Sequence, residues 1–199
     1  MTFFIFEDVK EMFLVALSGG VDSSVTALLL KEQGYELIGV TFKVFENKGL
    51  HKYPLEQGIQ DAKKLVKKIN IPYYIIDLVD DFNDQIINYF INEYANGKTP
   101  NPCALCNYQI KWSTLIEIAD ELGCDYVATG HYAEIGNKSD RYFISEANDS
   151  LKDQSSFLWR LPQEFLKRTI FPLGNLSKKK IKKLAEIRVF IIWQKTGKL

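Results

Sequence analysis

The stretch Ser18-Gly19-Gly20-Val21-Asp22-Ser23-Ser24 constrains this chain more than any other. An apolar run, residues 13–17, leads into it, and an apolar-periodic segment, residues 24–33, leads out of it to Gly34. That order reads as strand, glycine loop, helix. The free amides and dipole of a helix start make an anion site. Gly19 and Gly20 let the backbone approach a phosphate, and the hydroxyls of Ser18, Ser23 and Ser24 can donate to its oxygens. Asp22 is out of place for plain anion capture. A carboxylate beside phosphates makes sense if it holds Mg²⁺ or orients the loop. No Gly-Lys-Ser/Thr ending follows, so transfer of a terminal phosphate is disfavoured.

The same alternation continues downstream. Residues 37–42, 73–77 and 126–129 read as buried strands, and 55–69, 82–94 and 110–122 as helices. Strands alternating with helices at these lengths predict an α/β, Rossmann-like parallel sheet with helices on both faces. Residues 132–135 and 142–145 flank a polar turn and predict a hairpin lying over the sheet's mouth. Residues 156–161 and 163–168 read as short helices split by Pro162, and Ser177 caps a basic helix running to about Ile187. The division expected is a Rossmann-like domain over 1–150 and a short basic helical region over 151–199.

Composition narrows the class. With 199 residues, 46% of them hydrophobic, the chain can build a core without disulfides or a structural metal, and disordered or collagen-like classes are excluded. Its longest apolar runs, 12–17 and 189–193, fall far below the roughly 18 residues of a spanning helix. Residues 1–10 lack the basic start and cleavage site of a signal peptide and receive no role, so the expectation is a cytoplasmic protein with no membrane partner. Lys+Arg and Asp+Glu balance at 25 each, yet residues 160–199 carry a net +9 and residues 1–159 a net −9. Lys178, Lys179, Lys180, Lys182 and Lys183 concentrate the positive charge; such a run either neutralises a phosphate backbone or forms a solvated helix face.

Three cysteines, two of them spaced as Cys103 and Cys106, point to redox, sulfur or metal chemistry before a structural disulfide. Residues 97–107, Gly-Lys-Thr-Pro-Asn-Pro-Cys-Ala-Leu-Cys-Asn, read as a loop stiffened by two prolines between helices. Cys106 then falls near the next helix start, where the dipole and Lys111 favour thiolate, the form that attacks or carries sulfur. A buried or metal-bound pair is the competing reading, and with Cys124 the chain offers three thiolates to an iron-sulfur cluster. His131, in Ala128-Thr129-Gly130-His131-Tyr132 at a strand end, sits where open α/β sheets bind ligands. Lys152 can meet a phosphate, and Asp153 and Gln154 can read base or ribose groups.

The set SGGVDSS, NGKTPNPCALCNYQIKW, ATGHYA, KDQSSFL and FPLG resembles, in order and spacing, the tRNA-specific 2-thiouridylase family of the ATP pyrophosphatase superfamily, across about residues 13–187. The resemblance implies that ATP adenylates the C2 oxygen of a tRNA wobble uridine, after which a cysteine persulfide, charged by a donor protein, delivers sulfur to C2. It implies that Ala16, Leu17, Ser18, Gly19, Gly20, Val21, Asp22, Ser23, Phe42 and Gly130 bind Mg-ATP. It implies that Cys106 is nucleophile and persulfide carrier, that Asn101, Pro102 and Cys103 meet the target base, and that His131, Lys152, Asp153 and Gln154 contact tRNA. Family members continue beyond the counterpart of Ile187 with a second catalytic cysteine and β-rich domains. Here no cysteine follows Cys124, so the resemblance is to a C-terminally short version in which Cys103 stands as the substitute resolving thiol. Other readings consistent with the residues are an adenylating enzyme with another acceptor, a cluster-dependent thiolase, and an ATP- or RNA-binding remnant without turnover.

Overall fold

The computed structural model describes residues 10–45 and 55–195; residues 1–9, 46–54 and 196–199 lie outside the described residues. At its centre is β1 (Met12–Ala16), in which Phe13, Leu14 and Val15 are fully buried. An unbroken apolar run of this kind suits a strand covered on both faces. It pairs in parallel with β2 (Glu36–Lys43) on one side and β4 (Tyr126–Ala128) on the other, Leu14 opposite Ile38 and Val127. β3 (Tyr73–Asp77) extends the sheet beyond β2, and β7 (Thr169–Ile170) beyond β4, giving the all-parallel order β3-β2-β1-β4-β7. The two-residue β7 carries too little pattern for sequence reading to detect.

Alternate residues of β1 feed opposite layers. Phe13 and Val15 pack with Ala27 and Leu30 of α1 (Val21–Glu32) and with Ala62 and Val66 of α2 (Leu55–Ile69). Leu14 packs with Leu115, Ile118 and Ala119 of α6 (Ser113–Leu122) and with Trp112 just before it. The expected Rossmann-like sheet with helices on both faces is therefore what the chain forms. The single helix expected over 82–94 is α3 (Val79–Phe82), a π-helical segment (Asn83–Ile87) and α4 (Asn88–Ala95) in succession.

Two expectations are corrected. Residues 102–107 are helical rather than a loop: α5 (Pro102–Cys106) runs through a π-helical segment (Asn107–Trp112) into α6. Proline at a first helical position loses no hydrogen bond, so Pro102 starts the helix. The hairpin β5 (Glu134–Lys138) and β6 (Arg141–Ser145) does form, turned by Ser139 and Asp140 at φ 51° and 60°, but it does not cover the sheet's mouth. Gln163, at the start of α7 (Gln163–Lys167), clamps it to the flank by bonding both the N–H and the C=O of Tyr142, at 2.9 and 2.8 Å. The basic helix α8 (Lys178–Lys195) starts where expected, with Ser177 Oγ accepting from the Lys180 amide at 3.3 Å.

Candidate nucleotide and thiol site

The sheet order reverses at β1, and a crevice opens there at the strand C-termini. It is a cleft of 450 Å³ lined by Ala16, Leu17, Ser18, Asp22 and Ser23, by Thr41 and Phe42 near the end of β2, and by Gly130, His131 and Gln154. Lys111, Leu115 and Phe45 complete its walls. Nine of the residues expected at the site thus meet on one surface.

The glycine loop is held by its own hydroxyls. Ser23 Oγ accepts from the Ser18 amide at 3.1 Å and donates to the Gly20 carbonyl at 3.2 Å. Gly19 is left-handed at φ +77°, and a Cβ there would stand 2.1 Å from the Gly58 carbonyl oxygen of α2. Gly130 lies against the backbone of Asp22 and Ser23, so β4 presses the loop from the far side. Gly19, Gly20 and Val21 shape the loop without lining the cleft, and Val21 faces solvent.

Asp22 does not present an open carboxylate. Lys178 Nζ lies 2.6 Å from each of its oxygens, and Tyr132 Oη donates to Oδ1 at 2.8 Å. Among the described residues lining the cleft it carries the one carboxylate. A single carboxylate already neutralised by a lysine does not fit a metal held by the protein. Lys178, expected with its neighbours to meet a phosphate backbone or lie on a solvated face, instead turns inward, and Tyr132 was missed as a partner of Asp22. A run of lysines carries no signal of which one faces the core.

The cysteines sit beside the cleft, not in it. Asn101 Oδ1 accepts from the Ala104 amide at 3.1 Å and caps α5, placing exposed Cys103 in the first turn. Cys106, one turn on, is 8% exposed among Leu78, Phe82, Ile86 and Ile110. Burial pushes its thiol up; Lys111 opposes the shift, and Cys103 adds to it. The expected thiolate is therefore overruled by desolvation. Lys111 Nζ is instead bound to Asn107 Oδ1 at 3.0 Å, and the Asn107 Nδ2 donates to the Phe157 carbonyl at 3.0 Å, joining the cysteine helix to the residues after Gln154.

Cys124 cannot join the other thiols. It follows α6 at the opposite end of the sheet, beside the start of β1, where the Asp125 amide bonds the Met12 carbonyl at 2.9 Å. Among the described residues no three His, Cys, Asp or Glu side chains gather as a metal site. The three-thiolate iron-sulfur set does not fit this arrangement.

His131 is partly exposed on the cleft wall, with its ring packed inward. Its ring lies 5.3 Å from that of Trp112 and 6.2 Å from that of Phe171, Nδ1 is hydrogen-bonded to Thr129 Oγ1 at 2.8 Å, and burial, aided by Lys111, pushes its pKa down to about 3. Asp153 accepts from the Ala147 amide at 2.8 Å and from Ser155 Oγ at 2.6 Å. Burial raises its pKa, but these and further amide bonds outweigh it and leave the carboxyl below its usual range. Both its oxygens build the loop, leaving Gln154 on the cleft wall and Lys152 exposed at the loop surface. Asn101 and Cys103 are exposed, and Pro102 between them is partly exposed.

Comparison with known proteins decides the family. The family described as tRNA methyl transferase HUP domain matches residues 11–197. The chain belongs to that family. Relatives of this HUP-domain chain include the tRNA-specific 2-thiouridylases MnmA of Cytophaga hutchinsonii, 46% identical over 92% of the chain, and of Salinibacter ruber, 46% identical over 88%. The chain spans 51% and 48% of those two proteins, about half their length. Among solved structures, a U34-tRNA thiolase NcsA from Methanococcus maripaludis with its 4Fe-4S cluster matches 91% of the chain and 58% of its own, at 25% identity and a TM-score of 0.56. A 4-thiouridine synthetase in complex with RNA and bound ATP matches 89% of the chain and 40% of its own, at 16% identity and a TM-score of 0.57, which shows the shared fold. No helix among the described residues is long and apolar enough to cross a membrane.

Proposed function

We propose that this HUP-domain chain carries out the ATP-dependent 2-thiolation of the wobble uridine of tRNA, a reading supported by its 46% identity to proteins named tRNA-specific 2-thiouridylases. The observation that carries the reading is the placement of Ser18, Asp22, Ser23 and Gly130 in one cleft, with Cys103 and Cys106 on the helix that runs on to Lys111 of the cleft wall.

The amides and hydroxyls of the loop take the phosphates of Mg-ATP, and Phe42 with Gly130 flanks the nucleotide. A uridine flipped into the mouth brings its C2 oxygen to the α-phosphate. That oxygen bonds to the α-phosphorus, pyrophosphate leaves, and C2 acquires AMP as a leaving group. Cys106, loaded as a persulfide by a cytoplasmic donor protein, attacks C2 with its terminal sulfur and AMP departs. A second thiol then attacks the Cys106 sulfur, freeing thiouridine and leaving a disulfide for an external thiol to reduce. Cys103, one helical turn away, is that thiol in this chain. Because Cys106 is buried and neutral here, loading requires the first turn of α5 to open. Asn101, Pro102, Lys152 and the exposed lysines of α8 face the tRNA.

The test is pyrophosphate release from Mg-ATP with and without an unmodified tRNA bearing a wobble uridine. Release that needs this tRNA, and disappears when cytidine replaces the wobble uridine, supports the reading. Release indifferent to that base, or unchanged thiouridine formation by Cys106→Ser, removes it.

A further inference from the structure

The lysines at the start of α8 divide sharply. Lys179, Lys180, Lys182 and Lys183 are exposed, whereas Lys178 is half-buried with its ammonium on Asp22. Its position is fixed from several sides. The Lys178 amide donates to Asp149 Oδ2 at 2.8 Å, and its ammonium lies 5.6 Å from the centre of the Tyr132 ring. Ile181, one turn later, is fully buried against Val25 of α1.

This contact has an electrostatic consequence for the loop beneath it. Residues 18–24 offer amides and hydroxyls to an anion, yet Asp22 places a negative charge among them. A bare carboxylate a few ångströms from a polyphosphate opposes its binding, and the cleft wall screens that repulsion less than bulk water does. A lysine seated on both oxygens removes the net charge while leaving Asp22 in place.

We propose that Lys178 is a positioning residue of the phosphate loop: it neutralises Asp22, so that the phosphates of ATP meet the loop's donors rather than an unpaired carboxylate. This rests on the nucleotide reading above and adds to it a group contributed by the basic helix. The role is Lys178's alone among the five clustered lysines, since the other four point to solvent.

The experiment is calorimetric titration of the full chain with Mg-ATP. Lys178→Met is expected to weaken binding about tenfold, the size of effect that follows when one partner of a partly buried charge pair is removed. Lys178→Arg, which keeps the charge, stays within about threefold of wild type, and the loss in Lys178→Met shrinks as salt is raised. The deciding comparison is Asp22→Asn with and without Lys178→Met: once Asp22 is uncharged, truncating Lys178 costs less than about threefold. That pair also serves if Lys178→Met alone fails to fold. A tenfold cost persisting in the Asp22→Asn background overturns the proposal, as does Lys178→Met binding within twofold of wild type. Wild-type protein that binds no ATP removes the nucleotide reading and this inference together, an outcome distinct from both.

Discussion

Gly130 lies so close to the Ser18–Ser24 loop that a Cβ on it would stand 2.9 Å from the Ser23 amide nitrogen. A strand end and a helix start are therefore in backbone contact across the mouth of the cleft. Gly130→Ala must push Ser23 and its neighbours aside, because backbone atoms rather than a flexible side chain occupy the space. ATP affinity is expected to fall by at least about tenfold, since displacements near 1 Å are costly in such sites. Gly97→Ala, at a position where nothing lies within 4 Å but φ is +73°, is the control: it strains the backbone without touching the cleft.

Cys103 and Cys106 differ in reactivity in the order their surroundings dictate. Cys103 is exposed in the first turn of α5; the Cys106 thiol is pushed up by burial. Only thiolate attacks an alkylating agent, so a thiol raised by burial reacts more slowly at a given pH. Iodoacetamide at pH 7.5 is expected to label Cys103 first and Cys106 at least about tenfold more slowly. Cys124, raised to about 11, follows Cys106 in remaining unmodified. Peptide mass mapping over time reads the order, and equal rates in the folded protein would contradict it.

The desolvated imidazole of His131 on the cleft wall ties stability to pH. Its folded pKa is about 3, below the ordinary 6.5 it regains on unfolding. Between those values the unfolded chain binds a proton that the folded chain refuses. The contribution is therefore complete above pH 6.5 and is lost as pH falls toward 3. Urea unfolding of the wild type should lose about 1.4 kcal/mol per pH unit from this group below pH 6. His131→Asn should flatten the slope between pH 6 and 5, before most carboxylates titrate. A slope identical in both proteins would mean that the ring is charged, or free to become so, in the fold.

The sheet was legible in the sequence because its strands are unbroken apolar runs between turn residues. The helix Leu55–Ile69 and the strand Tyr73–Asp77 have the bounds their sequence patterns predict. The glycine loop was legible because its chemistry is backbone chemistry, set by residues adjacent in the chain. What escaped was long-range. Prolines at 100 and 102 read as a stiff loop, although Pro102 with Asn101 as cap is a sound helix start. The thiolate expected at Cys106 followed from the helix dipole and Lys111, whereas the packing of Leu78, Phe82 and Ile86 around it is visible only in three dimensions. Asp22 and Lys178 stand 156 positions apart, and nothing local to either announces the pair.

The exposed lysines of α8 give the tRNA reading a salt-dependent signature. Lys179, Lys180, Lys182 and Lys183 are all exposed, and each phosphate contact releases about 0.7–0.9 counterions. Changing Lys179 and Lys183 to Gln should lower the slope of log affinity against log salt by about 1.5 for an unmodified tRNA. ATP affinity should not change, because neither residue lines the cleft. An unaltered slope would return this run to an ordinary solvated helix face.

The proposed tRNA binding predicts a complementary, salt-insensitive term from Trp159. It is 69% exposed, two residues beyond Phe157, whose carbonyl is bonded to the Asn107 side chain next to Cys106. The Arg160 guanidinium lies 5.6 Å from the centre of its ring and 5.7 Å from that of Tyr108. An exposed indole beside a guanidinium, close to the helix that carries the thiols, is a platform on which an unpaired RNA base can stack. Trp159→Ala should weaken tRNA binding by about 1–3 kcal/mol, the usual worth of one base–aromatic stack, and leave the salt slope unchanged. Thermal stability should be nearly unaffected, since so little of the ring is buried. Trp159→Phe should retain most of the affinity, because a smaller π-face remains. If Trp159→Ala binds tRNA as well as wild type does, the target nucleotide enters without a stacking neighbour on this side, and the exposed face of the 155–160 segment is only a surface loop.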